Sequence, residues 1–158
     1  MSPNVPFYDL ARLHASIRGD LDHAIARVLD RGTFVLDEEV QRFEAEFARV
    51  TGTRHCVTVG NGLDAITLIL RGLGIGPGDE VIVPGATFIA TWLAVTAVGA
   101  TVVPVDVDAT SYTIDPGAVR AAITGRTRAI LPVHLYGHPA PMAALRAIAM
   151  RFRLAVIE

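Results

Sequence analysis

The chain has 158 residues, 51% of them hydrophobic, and a formal net charge of −2 at pH 7. This length and apolar content suffice for one globular domain, and the balanced charge without a basic cluster argues against nucleic acid as the main partner. Cys56 is the one cysteine, which excludes a disulfide framework, so the cytoplasm is the expected compartment. No basic and apolar leader stands at the N-terminus, so secretion is not expected.

Apolar residues at helical spacing predict two helices in the first third of the chain. Leu10, Leu13, Ile17 and Leu21 belong to a pattern that continues to residue 31, which predicts an amphipathic helix over 10–31. A second helix is predicted over 37–51, because acidic residues fill its first turn, where the helix dipole favours negative charge.

From residue 56 onward the pattern changes to short apolar runs that alternate with helices. Strands are predicted at 56–59, 80–83, 101–105, 128–132 and 154–157, and helices at 62–73, 87–98, 115–123 and 139–152. The last four strands are almost entirely apolar, as in a parallel sheet that is covered on both faces. The predicted fold class is therefore α/β, with a mainly parallel sheet flanked by helices. The uncharged run 81–105 contains prolines and glycines that divide it, so a soluble protein is expected rather than a membrane span.

A glycine turn joins the first predicted strand to the helix that follows it. Gly60-Asn61-Gly62 stands between Val57-Thr58-Val59 and the apolar helical pattern after residue 64. The first-turn amides of such a helix have no intrahelical partner, and the helix dipole adds positive charge there. Glycine would let a phosphate approach these amides closely. A tight strand-to-helix turn also needs glycine for backbone reasons alone, so both interpretations stay open.

Three further segments follow the carboxyl ends of predicted strands, which is where open parallel sheets bind ligands. Phe88 follows the second strand, and it fits either a core position or a stacking surface. His134 and Tyr136 follow the fourth strand and could move a proton or bind a substrate, although such residues more often satisfy backbone groups. Asp106 and Asp108 follow the third strand and are interpreted as strand-end caps. The other histidines share no ligand spacing with carboxylates, so no metal site is predicted.

Six segments occur in the same order as the motifs of one known family. They are residues 34–36 (Phe-Val-Leu), 60–65 (Gly-Asn-Gly-Leu-Asp-Ala), 78–84 (Gly-Asp-Glu-Val-Ile-Val-Pro), 87–91 (Thr-Phe-Ile-Ala-Thr), 112–116 (Tyr-Thr-Ile-Asp-Pro) and 132–137 (Pro-Val-His-Leu-Tyr-Gly). No single segment is specific, but the ordered set resembles the N-terminal portion of the DegT/DnrJ/StrS family. These are nucleotide-sugar aminotransferases of fold type I that use pyridoxal 5′-phosphate.

The resemblance implies roles for particular residues. Backbone amides at Gly62, Leu63 and Asp64 would bind the cofactor phosphate, and Phe88 would stack on the pyridine ring. Family members often have threonine where Leu63 stands; leucine keeps the amide, and it is similar to the subset that acts at the 3-keto carbon of deoxysugars. His134 and Tyr136 would lie near the sugar, as candidate substrate-binding residues for which a backbone role is preferred.

The resemblance also implies the domain organisation. Residues 1–36 would form an N-terminal helical segment, and residues 37–158 part of the cofactor-binding large domain. The cofactor-binding aspartate and the Schiff-base lysine of the family would follow Glu158. The chain contains no lysine, and arginine cannot replace it because it stays protonated. No catalytic residue is therefore assigned, and the 158 residues alone are expected to be a partial form, inactive and poorly stable as a monomer.

The implied function is the N-terminal part of an aminotransferase that acts on a nucleotide-linked keto-sugar. The expected sugar is a 3-keto-6-deoxyhexose, glutamate is the expected amino donor, and the complete protein is expected to be a homodimer. Residues 34–37 would lie near the shared site, where Asp37 stands in place of the usual glycine. Two alternatives remain: a non-catalytic remnant of the fold, and a sugar dehydratase of the same family that also uses pyridoxal phosphate.

Overall fold

A computed structural model describes residues 6–158, which divide into a helical unit ending at Thr58 and a sheet unit, Val59–Glu158. The helices are α1 (Leu10–Ser16), α2 (Arg18–Arg31), α3 (Glu38–Thr51), α4 (Gly62–Gly72), α5 (Ala90–Ala97), α6 (Pro116–Ala122) and α7 (Met142–Phe152). The strands are β1 (Glu80–Pro84), β2 (Thr101–Val105), β3 (Thr127–Ile130) and β4 (Ala155–Val156), and a 3-10 turn spans Leu135–Gly137. The predicted boundary after residue 36, between an N-terminal helical segment and the cofactor-binding large domain, stays a prediction.

The single helix predicted over 10–31 is wrong, because the chain breaks at Ile17 between α1 and α2. The hydroxyl of Ser16 donates to the carbonyl of Leu13 at 2.7 Å. That carbonyl would accept the amide of Ile17 in a continuous helix. The Ile17 amide instead bonds the carbonyl of His14 at 3.2 Å, with φ −121° at Ile17. A side chain that competes for a backbone acceptor thus ends the first helix.

The helical unit is held by ion pairs more than by a core. Arg31, at the end of α2, pairs with Glu38 at 2.6 Å and with Glu39 at 3.0 Å. Phe43 and Phe47 stack on α3 with centroids 5.4 Å apart, although each ring is about half exposed. Within residues 6–58, only Ala48 is buried. Exposed ion pairs contribute little stability, so we expect this unit to open more readily than the sheet unit.

The strand predicted at 56–59 is also wrong. These residues have no regular secondary structure, and Val57 is 78% exposed. The carboxylate of Glu44 on α3 accepts the Thr58 amide at 2.7 Å and the Thr58 hydroxyl at 2.8 Å. A segment becomes a strand only where a neighbouring strand supplies hydrogen bonds. Within residues 6–158, the Thr58 amide donates to the Glu44 carboxylate and not to a neighbouring strand.

Within residues 6–158, the sheet has four parallel strands in the order β2-β1-β3-β4. The central strand β1 pairs with β2 from Glu80 opposite Thr101 onward. On its other side β1 pairs with β3, with Val81 opposite Ala129, and β3 pairs with β4. The predicted α/β fold class with a mainly parallel sheet is confirmed.

Helices cover both faces of this sheet. Val81 and Val83 of β1 pack with Leu70 of α4 in a core cluster that also contains residues of α5. Ile82 points to the opposite face and packs with Leu145 of α7 in a second cluster that includes α6. This alternation follows from the period of two along a strand. Because both faces of the central strand are covered, β1 is apolar and fully buried from Val81 to Pro84.

Prolines explain why several boundaries differ from the predicted ones. The helix predicted at 139–152 begins at Met142, because Pro139 and Pro141 disfavour helical backbone in the residues before them. The strand predicted at 128–132 ends at Ile130, since Pro132 has no amide to continue the ladder. No helix within residues 6–158 is long and apolar enough to cross a bilayer.

A carboxylate network ties together the amino end of the sheet. Glu80 at the start of β1 is 4% exposed. It accepts hydrogen bonds from the hydroxyl of Thr124 and from Arg126, whose Nε lies 3.0 Å away. The Thr124 hydrogen bond is the main cause that lowers the pKa of Glu80; burial opposes it, and Arg126 adds to it. This network lies at the edge opposite the strand ends that carry the candidate site.

Candidate functional site

The strand order defines where a ligand would bind. The chain goes from β1 outward to β2, then crosses back to β3 on the other side of β1. The connections after β1 and β3 therefore leave the sheet in opposite directions and open a crevice between them at the carboxyl edge. Open α/β sheets bind ligands at such a switch point. Phe88 lies in the first of these connections, and His134 and Tyr136 lie in the second.

The first turn of α4 offers two backbone donors. The amides of Gly62 and Leu63 have no acceptor among residues 6–158, as expected for the first residues of a helix. The amide of Asp64 is already used, because the side-chain oxygen of Asn61 accepts it at 2.9 Å. The side-chain nitrogen of Asn61 also donates to the Asp64 carboxylate at 2.9 Å. Asn61 thus caps the helix, and its side-chain nitrogen also holds the Asp64 carboxylate.

Open space surrounds the glycine that begins this helix. A β-carbon built on Gly62 would have no atom within 4 Å, whereas one on Gly60 would lie 3.1 Å from the Asp64 carboxylate. Nothing in the described chain therefore requires glycine at position 62. The side chain of Leu63 is partly buried and packs against the core, so its amide is the group available to a ligand.

The topology places this turn at the carboxyl edge of the sheet. α4 reaches β1 through residues 73–79, so the helix runs opposite to the strand. Leu63 in its first turn packs against the core cluster that contains Val83, near the end of β1. Trp92 of α5 packs against the same cluster and donates from its ring nitrogen to the carbonyl of Pro84 at 3.2 Å. Trp92 therefore packs against the core at the end of β1.

Phe88 lies in the loop before α5, although the predicted helix 87–98 would include it. The helix begins at Ala90, after the hydroxyls of Thr87 and Thr91 meet at 2.9 Å and the Phe88 carbonyl accepts the Thr91 amide at 3.1 Å. The Phe88 ring is 75% exposed. An apolar ring in this position is a surface on which a flat ligand can stack.

The ring of His134 is hydrogen-bonded on both sides. Its Nδ1 accepts the amide of Ala140 at 3.0 Å, so the hydrogen is on Nε2, which lies 3.2 Å from the carboxylate of Glu158. Arg146 donates to the other oxygen of Glu158 at 3.1 Å. Burial raises the pKa of Glu158, but the hydrogen bonds from Arg146 and His134 outweigh it and leave that pKa below its usual value. Tyr136, by contrast, is 96% exposed.

The acids after β2 have structural roles. Asp108 accepts the amides of Ser111 at 2.8 Å and of Thr110 at 3.0 Å. These two hydrogen bonds, the one from Ser111 first, lower the pKa of Asp108. The carbonyl of Asp106 accepts the Asp115 amide at 3.2 Å. Within residues 6–158, no group of three or more His, Cys, Asp or Glu side chains is arranged to hold a metal ion.

Two residues of this edge were not predicted as part of the site. Asn61 has a local signal, because an asparagine followed three residues later by an acid is a typical helix start. Glu158 has none, since 24 residues separate it from His134 and only the pairing of β3 with β4 brings the two segments together.

Comparisons with known proteins agree with this architecture. A model of the DegT/DnrJ/EryC1/StrS aminotransferase family matches residues 15–158. The dTDP-3-amino-3,4,6-trideoxy-α-D-glucose transaminase of Streptomyces venezuelae is 57% identical over 157 residues, which are 99% of this chain and 41% of that protein. The chain thus spans about two-fifths of the length of this relative.

Solved structures show the same likeness. The crystal structure of S. venezuelae DesV in complex with a ketimine intermediate has a TM-score of 0.94 at 57% identity, and the match covers 98% of this chain and 42% of that one. NtdA from Bacillus subtilis, solved with bound cofactor PMP, has a TM-score of 0.92 at 38% identity, and that match covers 98% and 36% of the two chains.

Proposed function

The chain belongs to the DegT/DnrJ/EryC1/StrS aminotransferase family, and we propose that it supplies the cofactor-binding part of an aminotransferase for a nucleotide-linked keto-sugar. The observation that carries this proposal is the pair of unused amides at Gly62 and Leu63, at the edge of the sheet that also carries the Phe88 ring. The 57% identical relative is named a transaminase, which supports amino-group transfer as the reaction. It favours neither a dehydratase nor a non-catalytic remnant.

The residues present fit the phosphate of pyridoxal 5′-phosphate. Two amides at a helix start donate to an anion, and the helix dipole favours its charge. Gly62 leaves room above them for a phosphate oxygen, because no atom lies within 4 Å of the position a β-carbon would take. The Asp64 amide would join them only after the side chain of Asn61 released it.

Phe88 fits the pyridine ring of the same cofactor. Its exposed face is electron-rich, and stacking on it would remove apolar area from water on both rings. When bound, pyridoxal phosphate supplies the electron sink for amino-group transfer. The 158 residues include no lysine, so the role proposed for this chain is to bind and orient the cofactor.

The proposed substrate belongs to the class of sugar nucleotides that appears in the name of the relative. That relative is a dTDP-3-amino-sugar transaminase, which supports a keto group at carbon 3 of a 6-deoxyhexose. Tyr136 and the loop around His134 would face this substrate from the switch point of the sheet. Glutamate as amino donor, a homodimeric assembly and a cytoplasmic location complete the proposal.

A hybrid enzyme tests this function. Residues 1–158 of this chain would replace the matching part of the S. venezuelae transaminase, and conversion of dTDP-3-amino-3,4,6-trideoxy-α-D-glucose would be measured. We expect a folded hybrid to bind pyridoxal phosphate and to transfer the amino group. A folded hybrid without either property would contradict the proposal.

Two matched glycine variants locate the phosphate. Gly62→Ala and Gly19→Ala each add a methyl group in the first turn of a helix, and neither β-carbon meets an atom within 4 Å. Both variants should keep or slightly raise the Tm, because alanine favours helix. Only Gly62→Ala should weaken pyridoxal phosphate binding, by tenfold or more. Equal affinity in the two variants would place the phosphate elsewhere.

A further inference from the structure

Thr91, in the first turn of α5, is a buried polar residue. It is 6% exposed, and its hydroxyl lies 2.9 Å from the hydroxyl of Thr87 in the loop before the helix. Valine has the same branched shape without a hydroxyl, and α5 buries Val95 in the core cluster that contains Val83 of β1. Because a buried hydroxyl costs free energy unless it is hydrogen-bonded, the packing of α5 does not account for a threonine at this position.

Thr91 is hydrogen-bonded to the part of the loop that carries the Phe88 ring. Its hydroxyl bonds Thr87, which precedes Phe88, and its amide donates to the carbonyl of Phe88 itself at 3.1 Å. Within residues 6–158, the Thr87–Thr91 pair is the one side-chain hydrogen bond of the segment 85–89. The Phe88 ring is 75% exposed, so core packing does not fix its orientation. The hydroxyl pair therefore restricts the loop from which the ring projects.

A restricted loop loses less conformational entropy when its ring receives a ligand, so this preorganisation raises affinity. We propose, resting on the proposed function, that Thr91 is a positioning residue for the binding of pyridoxal 5′-phosphate. It acts through the hydroxyl of Thr87, which holds the Phe88 ring in place to stack on the pyridine ring. The Thr91 side chain is buried and does not itself touch the cofactor.

α5 contains a matched control for this hydroxyl. Thr96 is exposed, and its hydroxyl donates to the carbonyl of Leu93 at 2.9 Å, within the same helix. Thr96→Val therefore removes a hydroxyl and its hydrogen bond from α5 without changing a contact of the Phe88 loop. A loss of affinity that Thr91→Val shows and Thr96→Val does not show belongs to the contact with Thr87.

The first measurement compares pyridoxal phosphate with inorganic phosphate as ligands of the hybrid enzyme. Thr91→Val should weaken pyridoxal phosphate binding about fivefold, the effect of one lost hydrogen bond, and leave inorganic phosphate binding unchanged, because that ion has no ring to stack. Thr91→Ser keeps the hydroxyl and should retain most of the cofactor affinity, and Thr96→Val should change neither affinity. Thr87→Val should repeat the loss of Thr91→Val with a larger fall in Tm, since it leaves the Thr91 hydroxyl buried without a partner.

A double-mutant cycle then determines whether Thr91 acts through the ring. Phe88→Leu removes the ring, so Thr91→Val should cost no further cofactor affinity in that background. Additive losses would overturn the inference, as would an equal loss of inorganic phosphate binding or unchanged cofactor binding in Thr91→Val. Each of these results, in a hybrid whose parent binds pyridoxal phosphate, would leave the proposed function intact. A parent hybrid that folds without binding cofactor would overturn both.

Discussion

Replacing Asn61 with alanine should have opposite effects on stability and on cofactor binding. The Asn61 side chain caps α4 by accepting the Asp64 amide at 2.9 Å. Loss of such a cap costs about 1 kcal/mol, which is a fall in Tm of about 2 °C or less in a protein as long as the hybrid enzyme. In the parent chain, a phosphate must break this cap before it bonds the Asp64 amide. The variant omits that cost, so phosphate affinity should rise by the same free energy, roughly fivefold.

The assay measures thermal unfolding of the hybrid enzyme and titration with pyridoxal phosphate at fixed ionic strength. Asp115→Ala is the matched control, since Asp115 caps α6 by accepting the Gly117 amide at 2.8 Å. It should lower the Tm comparably and leave phosphate affinity unchanged. If Asn61→Ala loses stability without gaining affinity, the Asp64 amide is not a phosphate donor. If it also loses affinity, Asn61 itself contacts the ligand and the competition argument is refuted.

Three further variants test the fold. Glu80→Gln should unfold at a lower temperature than the parent at pH 7. The Thr124 hydrogen bond lowers the pKa of Glu80 in the folded state, so the stability that the Glu80 carboxylate contributes is present above its pKa in the unfolded chain, about 4.3, and is lost as the pH falls through its folded-state pKa. An acid titration of the variant should not show this loss of stability. Leu70→Ala should cost about 2–5 kcal/mol in chemical denaturation because Leu70 is fully buried, whereas Leu68→Ala, at a half-exposed position, should cost much less. Ser16→Ala frees the Leu13 carbonyl, so circular dichroism should show more helix.

The sequence patterns predicted the sheet unit better than the helical unit. Uninterrupted apolar runs such as 81–84 can be buried only where both faces of a sheet are covered, so their pattern alone indicates a central parallel strand. The break at Ile17 is a different case. Its apolar period continues across the break, and the competing hydroxyl of Ser16 is a detail of one rotamer that periodicity does not record.

Residues 56–59 show that a high strand propensity is not sufficient to form a strand. Its β-branched residues alternate as in a half-buried strand, and the prediction rested on that. Pairing depends on a neighbour far away in sequence, which a local pattern does not contain. In the described chain the Thr58 amide instead bonds Glu44, 14 residues earlier.

At the candidate site, the sequence predicted where the residues lie but not which of their atoms are free to bind a ligand. The order of strands and turns indicated which loops lie at the carboxyl edge of the sheet, and the structure agrees. It could not indicate that the Asp64 amide and both ring nitrogens of His134 are used by the chain itself. These hydrogen bonds depend on side-chain geometry. Among the described residues of this edge, the groups left unused include the amides of Gly62 and Leu63 and the rings of Phe88 and Tyr136, which offer donors for an anion and apolar surfaces for stacking. The proposed binding of a phosphorylated aromatic cofactor depends on these groups.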